Sequence, residues 1–184
     1  MADCFAGKHR IETTRLKGWD YSEPGYYFVT ICTRDRVCCL GDIVDGKMRL
    51  SEIGEIAHQY WLKIPNHFGN VVLDEFVVMP SHVHGIIVIN ESDCRDGACP
   101  VSTDGIATRP NLGNIVGSFK SAVTRWCHEN DRPFAWQSRF YDHIIRNEKS
   151  LNQTRQYIDD NPENWETDRN NPEGRIPRKP GSPA

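Results

Sequence analysis

Long apolar runs are missing from this sequence of 184 residues. The run at 85–89 is broken within a few residues, well short of the roughly 20 that a membrane-spanning helix needs. The first ten residues also lack the apolar core of a secretory signal. We therefore expect a cytoplasmic protein without a membrane partner.

Neither a disulfide framework nor an excess of positive charge is present. Seven cysteines are an odd number, which indicates reduced thiols. Cys94 and Cys99 have the spacing of half a zinc site, but no second close Cys/His pair accompanies them, and unrelated free thiols explain them better. With 22 basic and 25 acidic residues, the net charge of −3 speaks against a generally basic nucleic-acid binder.

Basic residues nevertheless cluster in two parts of the chain. A solvated surface is the ordinary explanation of such clusters, and nothing in the charges themselves favours another one. The clustered residues are Lys8, His9, Arg10, Arg15 and Lys17 near the N-terminus, and Lys120, Arg125, Arg132, Arg139 and Arg146 in the second half.

Composition and length are those of one globular domain, with 38% hydrophobic and 26% charged residues. We predict a single domain over 1–184 with a core at about 15–165. The segment 91–109, rich in Asp, Ser, Gly and Cys, predicts a flexible inserted loop. The prolines and asparagines of 166–184 predict an extended tail.

Apolar spacing and turn residues predict five elements. They are a strand at 26–32, a helix from 51 stopped by Pro65, a β-hairpin at 71–90, a helix at 112–126, and a helix from 149 or 150 through 158. This order predicts an α+β domain in which helices cover an antiparallel sheet.

A histidine pair lies in the second strand of the predicted hairpin. Alternation along a strand places His82 and His84 on the same face of the sheet, where both imidazoles can reach one divalent metal. By spacing alone, such a pair is more often hydrogen-bonded or exposed than ligating. The pair enters a packed strand, however, where buried polar groups need partners, and a metal would supply one.

The last predicted helix carries a second candidate pair. Tyr157 and Asn161 are four residues apart and therefore share one helix face. The ordinary interpretation is that Tyr157 packs its ring and Asn161 ends the helix before Pro162. A phenol of pKa about 10 is also a better leaving group than an aliphatic alcohol, so a phosphotyrosine link would keep a broken phosphodiester bond reversible.

Five segments in this order resemble the REP-associated tyrosine transposases, a branch of the tyrosine HUH transposases related to small insertion sequences. The segments are YYFVTICTRDR at 26–36, FVVMPSHVHGIIV at 76–88, IVGSFKSAVTRW at 115–126, WQSRFYDHIIRNE at 136–148 and YIDDNPENW at 157–165. The resemblance covers about 15–165, and the ordered set is far more specific than the His-x-His motif alone.

The resemblance implies a ferredoxin-like antiparallel sheet with helices, the HUH endonuclease fold. It also implies that His82, His84 and Asn161 hold Mg²⁺ or Mn²⁺ and that Tyr157 is the nucleophile. The implied reaction nicks single-stranded DNA beside a hairpin, such as a repetitive extragenic element, leaves a 5′-phosphotyrosine, and rejoins the strand. The active form would be a monomer or a homodimer.

Tyr141 falls in another segment of the family pattern and does not take the role of the nucleophile. Its aromatic neighbours Trp136 and Phe140 favour packing over base stacking. Two rival functions remain open: a domesticated protein that binds DNA hairpins without cutting them, and a phosphodiesterase that attacks with water.

Overall fold

The computed structural model describes Leu16, residues 18–91 and 110–172, and the backbone of two short strands, β1 (Cys4–Phe5) and β2 (Lys8–His9). The predicted loop at 91–109 lies outside the described residues from position 92 onward, as do Cys94 and Cys99. In the part of the chain that is described, no helix is long and apolar enough to cross a membrane. The cytoplasmic location stays a prediction.

An antiparallel sheet of four strands forms the centre of the fold. In spatial order the strands are β6 (Val71–Met79), β7 (His82–Ile89), β3 (Gly25–Cys32) and β8 (Tyr141–Ile145). The strands β6 and β7 form the predicted hairpin, and the strand predicted at 26–32 is β3. A separate hairpin of β4 (Gly41–Val44) and β5 (Lys47–Leu50) was not predicted.

Two long helices cover one face of this sheet. They are α1 (Glu52–Leu62), capped by the Ser51 side chain on the Gly54 amide, and α3 (Leu112–Glu129), capped by Asn111. Their apolar faces pack on the odd-numbered residues of β3 and β7 to form the larger core, which includes Tyr27, Ile31 and Ile87. The predicted α+β architecture with an antiparallel sheet under helices is confirmed.

Close packing of α1 depends on a glycine in the middle of β7. A Cβ placed on Gly85 would lie 2.3 Å from a ring carbon of Trp61 and 3.0 Å from Cβ of Phe76. Trp61 is fully buried and cannot move away without opening the core. Glycine at this position therefore lets α1 approach the strand that carries the histidine pair.

The opposite face of the sheet is covered by α4 (Glu148–Asp159), capped by Asn147. Its buried residues Leu151 and Ile158 form a smaller second core with even-numbered residues of β3 and β7 and with one residue of β8, namely Phe28, Ile86, Val88 and Ile145. Because His82 and His84 are also even-numbered, strand alternation directs them toward this side of the sheet.

Two predicted boundaries differ from those observed. The helix expected to continue to Pro65 ends at Leu62, and Pro65 lies instead in the first turn of a second short helix, α2 (Ile64–His67). A proline is tolerated there because the first amides of a helix have no intrahelical partner. The last helix starts at Glu148 and ends at Asp159, close to the predicted limits.

The segment predicted as an extended tail begins with ordered structure. A 3₁₀ turn spans Trp165–Thr167, and Asn170 and Asn171 are buried. The Ser81 hydroxyl donates to the carbonyl of Asn170, which holds this segment against the start of β7. Residues 173–184 lie outside the described part, and the division into one domain with a core at 15–165 stays a prediction.

Candidate active site

The histidine pair lies at the beginning of β7, directly after the turn at Pro80 and Ser81. Both imidazoles are completely buried, and their ring centroids are 4.3 Å apart. Register places His82 between Cys32 and Met79, and His84 between Thr30 and Val77. The predicted sharing of one sheet face is therefore observed.

The Nδ1 atom of each imidazole contacts a hydroxyl group. The Ser81 hydroxyl donates its hydrogen to the carbonyl of Asn170, so at 3.3 Å it accepts one from Nδ1 of His82. Nδ1 of His84 lies 2.9 Å from the hydroxyl oxygen of Thr30. Nδ1 of both rings is thus engaged by a hydroxyl, which leaves Nε2 of each ring as the nitrogen that a cation can bind.

Buried, neutral histidines are the form that binds metal. Burial lowers the pKa of His82 to about 4, although Asp168 acts in the opposite direction. Burial, with the neighbouring His82, also lowers the pKa of His84 well below its usual value. Both imidazoles are therefore neutral at pH 7, and neither must lose a proton before it can coordinate a cation.

Asp168 completes a three-residue cluster with the two histidines. One oxygen or nitrogen from each of Asp168, His82 and His84 lies within 4.8 Å of the other two. The Asp168 carboxylate is half-buried and accepts a hydrogen bond from the amide of Asn170, which fixes it beside the sheet. Two imidazole nitrogens and a carboxylate oxygen make a donor set that can hold a divalent metal.

Orphaned polar atoms also fit a cation at this place. Nε2 of His82 and Oδ1 of Asn161 are buried and have no hydrogen-bond partner among the described residues. Leaving such lone pairs unmatched costs about 1–3 kcal/mol each, and a metal ion would satisfy them. Asn161 is 3% exposed and lies in the turn two residues beyond α4, not on the helix face that was predicted. Its role as a ligand stays a prediction.

Tyr157 extends from α4 to the same point. Its hydroxyl lies 3.3 Å from Nε2 of His84, within hydrogen-bond distance. Burial raises the pKa of Tyr157, while a hydrogen bond with Asn161 acts to lower it. The residue is still 42% exposed, so part of it faces solvent.

A bidentate ion pair docks the tyrosine helix on the sheet. Nε and Nη2 of Arg155 donate to the two carboxylate oxygens of Asp74, at 2.8 and 2.6 Å. These bonds lower the pKa of Asp74. Asp74 lies in the irregular part of β6 between Leu73 and Phe76, where the ladder with β7 is interrupted. The pair is two residues from Tyr157 and helps to fix the position of its ring.

A basic cavity lies beside α3. It has a volume of about 640 Å³, and its charged lining includes Arg34, Lys120, Arg125 and His128 against a single carboxylate, Glu129. Two of the residues in the predicted basic cluster, Lys120 and Arg125, therefore share one concave surface. Arg132, in contrast, is paired with Glu52 of α1.

Three contributors to the site were not identified from the sequence. Asp168 lay in the segment interpreted as a tail, and Ser81 and Thr30 orient the histidines through contacts between distant parts of the chain. One signal could have indicated Asp168. Trp165, three residues earlier, is a large aromatic residue in a stretch otherwise expected to be solvated, and its ring centroid lies 6.0 Å from that of His82.

Comparison with known structures shows the fold that this site belongs to. The chain superposes on the structure of a REP-associated tyrosine transposase bound to a REP hairpin with a TM-score of 0.57, at 21% sequence identity, covering 83% of this chain and 73% of the other. The resemblance stated from the sequence is thus confirmed at the level of the fold, the ferredoxin-like sheet with helices of these transposases.

A protein with a similar sequence identifies the family to which the chain belongs. The chain is 41% identical over 171 residues to an uncharacterized protein of Haemophilus influenzae (strain Rd), an alignment that covers 89% of this chain and 94% of the relative. It belongs to the same protein family as that relative. No protein-family model matches the chain.

Proposed function

We propose that this protein nicks and rejoins single-stranded DNA beside a hairpin or repeat, with Tyr157 as the nucleophile and a divalent metal held by the histidine pair. The observation that carries the proposal is the 3.3 Å contact between the Tyr157 hydroxyl and Nε2 of His84, within the cluster that can hold the metal. The shared fold with a transposase bound to a REP hairpin supports DNA as the substrate.

In this proposal the metal ligands are His82, His84, Asp168 and Asn161. Mixed nitrogen and oxygen donors with two carboxylate or amide oxygens suit Mn²⁺ and also Mg²⁺. When bound, the ion would supply Lewis-acid polarisation of the phosphate and neutralise its charge. Thr30 and Ser81 engage Nδ1 of the two imidazoles and leave Nε2 for the metal.

The chemical step forms one bond and breaks one bond. The phenolic oxygen of Tyr157 attacks the phosphorus of a DNA phosphodiester, and its proton leaves to solvent. The bond from phosphorus to the 3′ oxygen breaks, and that oxygen takes a proton and becomes a free 3′-hydroxyl. The 5′ phosphate is then joined to Tyr157, and attack by a 3′-hydroxyl on this link restores a phosphodiester and releases the tyrosine.

The test is a denaturing gel of the full chain with labelled hairpin DNA taken from repeats near its own gene. With Mn²⁺ or Mg²⁺, we expect a covalent protein–DNA adduct that Tyr157→Phe abolishes. The matched control is Tyr26→Phe, a second exposed tyrosine, on β3, which should retain the adduct.

Other outcomes separate the rival functions. Cutting that persists in Tyr157→Phe without an adduct would indicate attack by water and overturn the role of the tyrosine. A third outcome is that the wild type and Tyr157→Phe both bind metal and the hairpin but neither cuts the DNA. That result would indicate a domesticated binding protein and overturn the nuclease proposal.

A further inference from the structure

A small pocket opens between β8 and α4, next to the proposed nucleophile. Its volume is about 300 Å³, at the lower end of the range for small-ligand sites. Three aromatic rings line it, those of Phe28, Tyr141 and Tyr157. The metal cluster does not line the pocket, although the Phe28 ring stacks on His84 at 5.3 Å and so joins the two.

The rings are arranged to receive a flat group. Phe28 is 7% exposed and forms the floor, with Tyr141 and Tyr157 meeting its ring edgewise at centroid distances of 6.4 and 6.0 Å. Tyr141 and Tyr157 are 40% and 42% exposed, so both present ring surface to solvent. Packing, the role favoured for Tyr141 from the sequence, leaves this exposure unexplained.

Polar side chains on α4 and β8 border the same space. Gln153 offers an amide that both donates and accepts, Ser150 offers a hydroxyl, and His143 offers a ring nitrogen. The Arg169 guanidinium lies over the Tyr141 ring, 5.5 Å from its centroid. An aromatic pocket with hydrogen-bonding groups at its border and a cation beside it fits an unpaired base attached to an anionic backbone.

We propose that this pocket binds an unpaired nucleobase of the DNA strand adjacent to the phosphate that Tyr157 attacks. Tyr141 is the stacking residue, and Gln153 is the residue that determines which base is preferred. The inference rests on the proposed function for its substrate, a single DNA strand. It adds a base-binding site and two residues to which the reaction itself assigns no role.

The experiment measures binding without chemistry, so that it does not depend on nicking. Full-length Tyr157→Phe protein, which keeps the aromatic ring, is titrated in EDTA against fluorescent hairpin oligonucleotides with a single-stranded flank. Each flanking nucleotide in turn is replaced by an abasic residue. The same series is repeated with two double variants, in which Tyr141→Ala or Tyr141→Phe is added to Tyr157→Phe.

We expect one flank position at which the missing base weakens binding roughly five- to hundred-fold, the range that a base stacked on an aromatic ring contributes. At that position the abasic change should have no effect in Tyr141→Ala, whereas Tyr141→Phe should respond like the parent. Tyr26→Ala is the matched control, since Tyr26 is on the same strand and face as Phe28, is 38% exposed, and does not line the pocket.

Equal sensitivity to the abasic residue with and without the Tyr141 ring would overturn the proposal, as would the absence of any sensitive position.

Base preference is then compared at the sensitive position. Gln153→Leu should reduce discrimination among the four bases and leave the affinity for the abasic probe unchanged, and unaltered discrimination would remove Gln153 from its role. If the binding series shows a base that depends on Tyr141 but the wild type forms no covalent adduct, the base-binding pocket is supported and the nuclease proposal is rejected.

Discussion

The hydroxyl of Tyr157 and Nε2 of His84 are 3.3 Å apart, although 73 residues separate them in the chain. The contact exists because α4 crosses the face of the sheet to which β7 directs its even-numbered side chains. The Arg155–Asp74 ion pair helps to hold α4 in that position. One nitrogen thus lies beside both the proposed nucleophile and the proposed metal, so the hydroxyl and a cation would compete for the same lone pair.

Asp168 is expected to be a metal ligand. Asp168→Asn replaces the anionic donor of the cluster with a neutral one and should weaken Mn²⁺ binding by roughly tenfold or more, since even indirect partners of a metal are worth 10–100-fold. Isothermal titration calorimetry with MnCl₂ measures this. Asp160→Asn is the control, because the Asp160 carboxylate accepts from Gln156 and lies outside the cluster. Equal affinities for the two variants would contradict the assignment.

Thr30 is expected to act through His84. Thr30→Val keeps the shape of the side chain but removes the hydroxyl that is 2.9 Å from Nδ1, so the ring loses the hydrogen-bond partner that orients it. We expect Mn²⁺ affinity to fall about 10–100-fold. Thr154→Val serves for comparison, because its hydroxyl donates to the carbonyl of Ser150 and contacts neither histidine. Calorimetry showing an undiminished affinity in Thr30→Val would exclude this role.

The buried histidines predict an acid-sensitive metal-free protein. In the unfolded chain a histidine has a pKa near 6.5, whereas in the fold burial lowers the pKa of His82 to about 4 and lowers that of His84 as well. Between these values the unfolded chain binds more protons, so stability rises with pH and falls as the pH is lowered.

The expected loss in EDTA is up to about 1.4 kcal/mol per pH unit for each histidine as the pH falls from 6.5 toward 4. Urea unfolding at a series of pH values measures the slope, which His82→Gln should reduce. A free energy of unfolding that stays constant over this window would show that the histidines titrate normally in the fold.

Local periodicity related the candidate residues in pairs, and the family resemblance then assigned roles to His82, His84 and Tyr157. Strand alternation relates His82 to His84 without the rest of the fold. Helical spacing was the predicted link between Tyr157 and Asn161, but α4 ends at Asp159, and Asn161 follows in the turn after it. Asp168 could not be found in this way, because it approaches His82 only when the chain turns back after Trp165.

The missed strands have local physical reasons. In β8 a buried Asp142 interrupts the apolar pattern, and the strand has five residues. The hairpin of β4 and β5 has strands of four residues each, but its turn carries a usable signal. Asp45 and Gly46 both have positive φ, at 52° and 70°, as the favoured two-residue hairpin turn requires.

Arg125 is expected to contribute phosphate contacts from the basic cavity beside α3. The chain is acidic overall, so DNA binding must depend on local positive charge, and this cavity collects three cationic side chains and a histidine against one carboxylate. Each phosphate contact contributes a slope of about 0.9 to the logarithmic dependence of affinity on salt. Arg125→Ala should therefore weaken hairpin binding at low salt and reduce that slope by about one.

Fluorescence anisotropy between 50 and 200 mM NaCl measures the hairpin affinity and its salt dependence. The measurement compares Tyr157→Phe protein with the same protein carrying Arg125→Ala. Arg49→Ala removes an equal charge at the distant β4–β5 hairpin, where Arg49 faces Asp42, and should leave the slope unchanged. If both arginine variants lower the slope equally, the effect is one of net charge and the cavity does not bind the backbone. A reduced slope in Arg125→Ala alone would place a phosphate on α3, on the side of the sheet opposite Tyr157.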